Sequence, residues 1–441
     1  MAKQSNIVMN MFKIPELRKR IFFTLGMLVI VRVGAYIPVP GVDAIALERL
    51  FTQTGGGLLG FIDLFAGGAL RRFTLFALGI MPYISTSIIL QLLTVVVPVL
   101  ERLSKEGESG RKKIQQITRF GTVVVSAIQA YALTVFMKSQ PDVIVNPGLG
   151  FTINAIVAIS TGTLFLMWIG EQITERGIGN GISLIIFIGI VARVPIALKQ
   201  TYDQIKIGEL NPIMLIASFG IFVAIIAFVI LEQQGQRRIP IQHAKKVVGR
   251  KIYSAQATHL PLKINPSGVI PIIFASSVLI FPAQIAKSLG ARAPFLDRIA
   301  ALLSPGNALY LTLYALLIIF FTYFYTQIQL NPIDIADNLK KVGGYIPGIR
   351  PGANTSSYLQ RVLNRIVLPG SIFLALIALV PTIIQRWLNL PSEMAYLMGG
   401  TSLLIMVGVD LDTMKQIESH LLMRHYDGFM KGGGKLRGRN L

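Results

Sequence analysis

The side chains able to do chemistry in this chain are few, and most sit at the ends of apolar runs. Asp63 lies in a short apolar stretch, Glu171 and Asp410 each end a long one, and Arg32 lies inside the first. An ionisable group at mid-membrane marks an ion or proton pathway, whereas one near a boundary is solvated or snorkels to the interface. Placement favours boundary solvation for the three acids and snorkelling for Arg32. The four histidines, His243, His259, His420 and His425, fall in expected loops or the tail and read as solvated surface groups rather than metal ligands. With no cysteine, thiolate nucleophiles, disulfides and Cys-based metal sites are excluded. The tail Gly432-Gly433-Gly434-Lys435-Leu436 lacks the spacing and hydroxyl of a phosphate-binding loop, and no His-Glu-x-x-His occurs. These residues suggest no enzyme, no metal and no cofactor, so any energy source is expected outside this chain.

The elements that must position them are membrane spans. Mean hydropathy is +0.61, and only 14% of the 441 residues are charged, too apolar a balance for an ordinary soluble protein. About 20 mostly apolar residues cross the hydrocarbon. Ten runs qualify: Ile21–Ile37, Phe73–Val97, Phe120–Met137, Phe151–Ile169, Ile182–Leu198, Pro212–Leu231, Val269–Ala286, Leu309–Ile328, Val367–Ile384 and Ala395–Val409. Pro369 and Pro381 interrupt the ninth. The first is no cleavable signal, since it ends in Tyr36-Ile37-Pro38-Val39-Pro40 rather than a small-residue site and more spans follow.

With a cytoplasmic N-terminus, about 30 of the 42 Lys and Arg fall on the cytoplasmic side, consistent with the positive-inside rule. An even number of spans returns the C-terminus to that side. Two cytoplasmic loops, 232–265 and 331–365, are too long for simple connectors. Their basic tips are Lys245-Lys246-Val247-Val248-Gly249-Arg250-Lys251 and Tyr345-Ile346-Pro347-Gly348-Ile349-Arg350-Pro351-Gly352. Such loops are commonly just solvated, topology-setting segments. Two extended together favour docking on a polyanion, an acidic protein face or anionic lipid.

Ten spans divide into five plus five, and an odd number per half makes any repeat inverted. Gly79-Ile80-Met81-Pro82-Tyr83-Ile84-Ser85 in span two is echoed by Gly268-Val269-Ile270-Pro271-Ile272-Ile273-Phe274 in span seven. The stretch Gly55–Gly68 is apolar in its middle, half a membrane thickness long and bracketed by glycines. It is either a hinged helix folded into a cavity or an interfacial loop. Three function classes remain at this point: a conduit, a ten-span solute transporter, and a membrane scaffold. The spans offer the transporter no convincing mid-membrane coupling group, and the scaffold does not account for the short segment.

Particular strings narrow the choice. Trp168-Ile169-Gly170-Glu171-Gln172-Ile173-Thr174-Glu175-Arg176-Gly177-Ile178-Gly179-Asn180-Gly181 closely resembles the corresponding segment of the SecY family of protein-conducting channels. The resemblance continues in Ala77–Ser85, Thr258–Lys263, Ala336–Lys341, the Pro347–Gly352 turn and Gly399–Ile405, so it covers essentially the whole chain. It implies an all-α polytopic membrane protein with ten transmembrane helices in two inverted five-helix halves, residues 1–205 and 206–441, around a central pore with a lateral gate. It implies a ring of aliphatic side chains at the constriction: Ile80, Ile84, Ile182, Ile186, Ile273 and Ile405. The glycine-bracketed segment resembles a plug helix, about 58–69, with Leu58, Leu59, Phe61, Ile62, Leu64 and Phe65 as its apolar face.

Gln91, Gln129 and Asn265 resemble polar gate positions, each equally readable as structural packing. Arg250, Lys251 and Arg350 match docking positions for the SecA motor and the ribosome, both its rRNA and its proteins. The implied partners also include SecE-like and SecG-like small membrane subunits, signal sequences and nascent polypeptides, and the implied location is a bacterial plasma membrane. The paired Arg71-Arg72 and the Gly/Lys-rich tail from Gly432 carry no functional reading in the sequence.

Overall fold

A computed structural model describes residues 14–53, 60, 63, 65–140, 142–208, 212–243, 246–248, 251–253, 258–289, 301–303, 307–388, 392–397 and 399–431. The chain forms two compact units, one of residues 1–194 and 408–441, the other of residues 195–407. Each of the ten expected spans coincides with helix over most of its length. Six helices among the described residues are long and apolar enough to cross a bilayer by themselves, and a bent pair adds a seventh.

In the first unit, α1 (Pro15–Gly34), α2 (Ala44–Gln53), α3 (Met81–Val96), α4 (Pro98–Lys105), α5 (Glu108–Lys138), α6 (Leu149–Arg176) and α7 (Gly181–Val191) follow in order. The second expected span begins later than its hydropathy suggests. Phe73–Ile80 is a chain of turns, because Gly79 takes a φ of +57° and Pro82 then starts the helix. That turn segment is pinned by the extended stretch after α1, with Val39 N–H donating to the Phe73 carbonyl at 2.9 Å and Leu75 N–H to that of Ile37 at 3.1 Å. Pro98 ends α3, and α4 leaves at 99°.

The α6–α7 turn is gripped from two distant parts of the chain. Asn180 caps α7, its side-chain oxygen accepting from Ile182 N–H and Ser183 N–H. From α1, Thr24 Oγ1 accepts from Ile178 N–H at 3.0 Å and Arg20 donates to the Gly177 carbonyl at 3.3 Å. From the last helix, Gln416 Oε1 accepts from Gly179 N–H at 2.8 Å. Leu17, Ile178 and Ile417 form a small apolar cluster beneath these bonds.

The second unit contains α8 (Val194–Ile207), whose first residue belongs to the other unit, then α9 (Pro212–Gln234), α10 (Ile270–Leu289), α11 (Ala308–Gln329), α12 (Pro332–Lys341), α13 (Ala353–Leu388) and α14 (Ser392–Leu397). The last helix, α15 (Gly400–Lys431), is shared between the units by residue number. The tenth expected span, Ala395–Val409, is therefore split near Gly399 and Gly400 into two helices. Pro369 and Pro381 do not break α13; membrane helices tolerate proline where neighbours satisfy the freed backbone groups.

The two long loops are folded rather than extended. Strand β1 (Gln236–His243) pairs antiparallel with β4 (Thr258–Lys263), and between them β2 (Lys246–Val248) pairs with β3 (Lys251–Tyr253). The second loop contributes α12 and then β5 (Gly344–Tyr345), which adds to the free edge of β1 with Gln242 opposite Tyr345. The resulting sheet has the order β4-β1-β5. Ile239 and Leu262 from the first loop, Ile346 from the second, and Leu359, Val362, Leu363 and Ile366 of α13 share one apolar core. The loops were expected to extend together from the membrane. Alternating burial along β1, with Ile239 and Ile241 inward, joins them into one small folded body.

Candidate functional site

Two of the three acids expected at solvated boundaries, Asp63 and Glu171, are instead buried and paired, whereas Asp410 is exposed as expected. Asp63 is 0% exposed and Arg193, which follows α7, is 3% exposed. Arg193 Nη1 donates to Asp63 Oδ2 at 2.8 Å. The backbone N–H of Arg71 donates to Asp63 Oδ1 at 3.1 Å, and its guanidinium Nε lies 3.9 Å from Oδ2. Arg32 does not simply snorkel: its Nη1 donates to the Gly67 carbonyl at 3.1 Å. Arg72 lies over the Tyr36 ring, 4.0 Å from the centroid, so both members of the Arg71-Arg72 pair have structural partners. A carboxylate inside an apolar stretch and an arginine inside the expected span Ile182–Leu198 were the available signals. Their pairing across 130 residues was not readable.

Glu171 is likewise buried, near the C-terminal end of α6. Arg119 of α5 reaches it with Nη2 2.8 Å from Oε2 and Nε 2.9 Å from Oε1, and Gln115 donates at 3.1 Å. A two-point guanidinium–carboxylate contact fixes geometry as well as charge. Replacing Arg119 with Leu is expected to destabilise the protein by about 2 kcal/mol, because it strips the main counter-charge from a buried carboxylate. A lowered thermal midpoint in detergent, partly restored by adding Glu171→Gln, is the expected result. An unchanged midpoint in the single variant would contradict it.

The residues expected at a constriction fall on well-packed backbone. Ile80 is the N-cap of α3 and Ile84 lies one turn on; both are buried, as is Ile186 of α7. Ile182 is half-buried and packs against Gly170 of α6. In the second unit Ile273 is half-buried on α10, and Ile405 is buried on α15. The spacing of four puts Ile182 and Ile186 on one face of α7, while Ile80 precedes the helix that carries Ile84.

Of the expected plug positions, Leu58, Leu59, Phe61, Ile62 and Leu64 lie outside the described residues, while Phe65 is buried. Just beyond it Gly67 has φ +64°, and a Cβ there would come 2.7 Å from the Gly189 Cα of α7. Only glycine permits this backbone-to-backbone approach.

The polar gate candidates differ in how far they are already engaged. Asn265 is buried and holds its own turn, donating to the Gly268 carbonyl at 3.0 Å and accepting from Ser267 Oγ at 3.0 Å. Gln129 is buried on α5. Gln91 is half-buried on α3, and among the described residues its side chain makes a long 3.5 Å contact from Nε2 to Ser87 Oγ.

Of the docking candidates, Arg250 lies outside the described residues, and Lys251 opens β3 opposite Val248. Arg350 is exposed. It stands on a turn held by positive φ at Gly348 and Gly352, by Ile346 and Ile349 in the core beneath, and by Thr355 Oγ1 donating to its carbonyl at 3.0 Å.

This arrangement of helices has solved counterparts. A structure described as "The structure of a protein conducting channel" matches with a TM-score of 0.67 at 19% identity, over 97% of this chain and 99% of that one. Another, on the plug domain of the SecY protein in the closed translocation channel, matches with a TM-score of 0.64 at 20% identity, over 97% and 99%. The fold is therefore that of the helical protein-conducting channels of membranes. The SecY family model matches residues 74–414. The protein translocase subunit SecY of Escherichia coli strain K12 is 46% identical over 438 residues, 98% of each chain. The chain belongs to the SecY family.

Proposed function

We propose that this chain is the central pore-forming subunit of a Sec translocon in a bacterial plasma membrane, with both termini cytoplasmic. It passes unfolded secretory polypeptides across the membrane and releases membrane-protein helices sideways into lipid. Near full-length likeness to a protein translocase subunit carries this reading. On it, residues 1–205 and 206–441 are the two halves, and the chain itself is not an enzyme.

The chemistry of such a conduit is physical rather than covalent. Ile80, Ile84, Ile182, Ile186, Ile273 and Ile405 form an aliphatic constriction that dewets and so opposes ion passage without a charged filter. Aliphatic side chains also mould around an extended peptide by dispersion and offer no fixed hydrogen bonds that would select sequences. The segment 58–69 plugs the outer funnel at rest. A signal sequence opens the gate by shifting a two-state population, its apolar helix replacing contacts near Gln91, Gln129 and Asn265.

On this reading Arg250, Lys251 and Arg350 dock the SecA motor or the ribosome, and small SecE-like and SecG-like subunits accompany the chain. The natural absence of cysteine makes the test direct. Single cysteines at Ile84, Ile186, Ile273 and Ile405 are expected to crosslink to a stalled secretory chain. Failure at all four, with crosslinks formed elsewhere on the protein, would remove the pore assignment.

A further inference from the structure

The buried pair Asp63–Arg193 has no role in conduction as described so far, and its setting suggests one. It joins the segment read as the plug to the end of α7, the helix that carries Ile182 and Ile186. The join is built at several points around the charges. Gly67 meets Gly189 backbone to backbone, and Arg32 holds the Gly67 carbonyl. Gly68 N–H closes back on the Asp63 carbonyl at 3.0 Å. The charged pair sits within this seat, with Arg193 reaching Asp63 from 130 residues away.

We propose that Asp63 and Arg193 are positioning residues that latch the plug in its closed seat and set the ease with which it leaves. The proposal rests on reading 58–69 as the plug. A buried ion pair contributes little net stability against apolar residues of similar size, yet removing one partner strands an uncompensated charge. Seated, the two charges pair directly, and the Arg71 N–H also donates to Asp63. Unseated, both return to water, which offsets the loss of their pairing. A plug held this way is specific in register but inexpensive to lift, whereas a wholly apolar seat would hold more tightly and release more slowly.

The test uses the full chain with its small-subunit partners, purified and reconstituted in planar bilayers, with conductance normalised to the channels present. Deleting residues 58–69 serves as the reference for an unplugged channel. Arg193→Met and Asp63→Leu, each alone, are expected to raise resting ion conductance at least tenfold toward that reference. The double variant Asp63→Leu/Arg193→Met is expected to seal at least as well as the native channel, and to transport a secretory chain several-fold more slowly.

A role confined to general folding would leave the double variant as leaky as the singles, and that outcome overturns the latch. So does a tight seal in both singles when the deletion leaks. Should a single variant fail to accumulate, the native-to-double comparison still decides, because faster transport or greater leak in the double contradicts the proposal. If deletion of 58–69 causes no leak, the plug reading fails and the latch falls with it.

Discussion

Replacing Arg350 with glutamate is expected to reduce motor-driven transport about tenfold or more while leaving the amount of membrane-inserted protein unchanged. The size follows from the proposed docking role of Arg350, since reversing its charge there exchanges an attraction for a repulsion. The selectivity follows from how the turn is built. Ile346 and Ile349 pack into the core beneath it, Gly348 and Gly352 supply the positive φ values, and Thr355 secures the Arg350 carbonyl rather than its side chain. The guanidinium is exposed, so the substitution removes no packing. Transport is measured by uptake of a secretory protein into vesicles containing the variant and the SecA motor. Uptake at the native rate would remove Arg350 from the docking surface.

The second large effect concerns the backbone. Gly162 of α6 lies directly on the Leu75 carbonyl, and a Cβ there would overlap that oxygen and come within 2.7 Å of its carbon. The obstacle is backbone, itself held by the Leu75 N–H bond to Ile37, so it cannot swing aside as a side-chain tip would. Gly162→Ala is expected to destabilise the protein by about 3 kcal/mol, at the upper end for overpacking a tight contact. Gly26 of α1 provides the control, since nothing lies within 4 Å of a Cβ built on it. There the same substitution is expected to be neutral or stabilising by up to about 1 kcal/mol through helix propensity. Thermal midpoints of the two variants in one detergent check the pair of statements. Equal shifts would contradict the packing argument.

The spans are legible in the sequence because a bilayer demands long apolar runs, and these runs carry helix in the structure. Their edges are less legible. Hydropathy cannot register that Gly79 takes a positive φ, so Phe73–Ile80 reads as span although the chain turns there. The prolines of α13 mislead in the opposite sense, because an isolated helix would break where a packed membrane helix does not. The folding of the two loops into one body was hidden because the β1–β5 pairing joins residues about a hundred positions apart, through only a few residues.

The candidate site divides in the same way. Asp63, Glu171 and Arg32 were visible as charges in apolar surroundings, but solvation and pairing give the same local pattern. Only the fold supplies Arg193, Arg119 and the Gly67 carbonyl as their partners.

The grip on the α6–α7 turn bears on how the protein is made. Thr24 and Arg20 are synthesised early and can meet Gly177 and Ile178 as soon as α6 is complete. Gln416 comes 237 residues after the Gly179 amide it receives, and Ile417 completes the cluster with Leu17 and Ile178. The first unit therefore waits, one face unfilled, until nearly the whole chain has been translated. A chain that stops before Gln416 leaves the Gly179 amide without this acceptor and the Leu17–Ile178 cluster without Ile417.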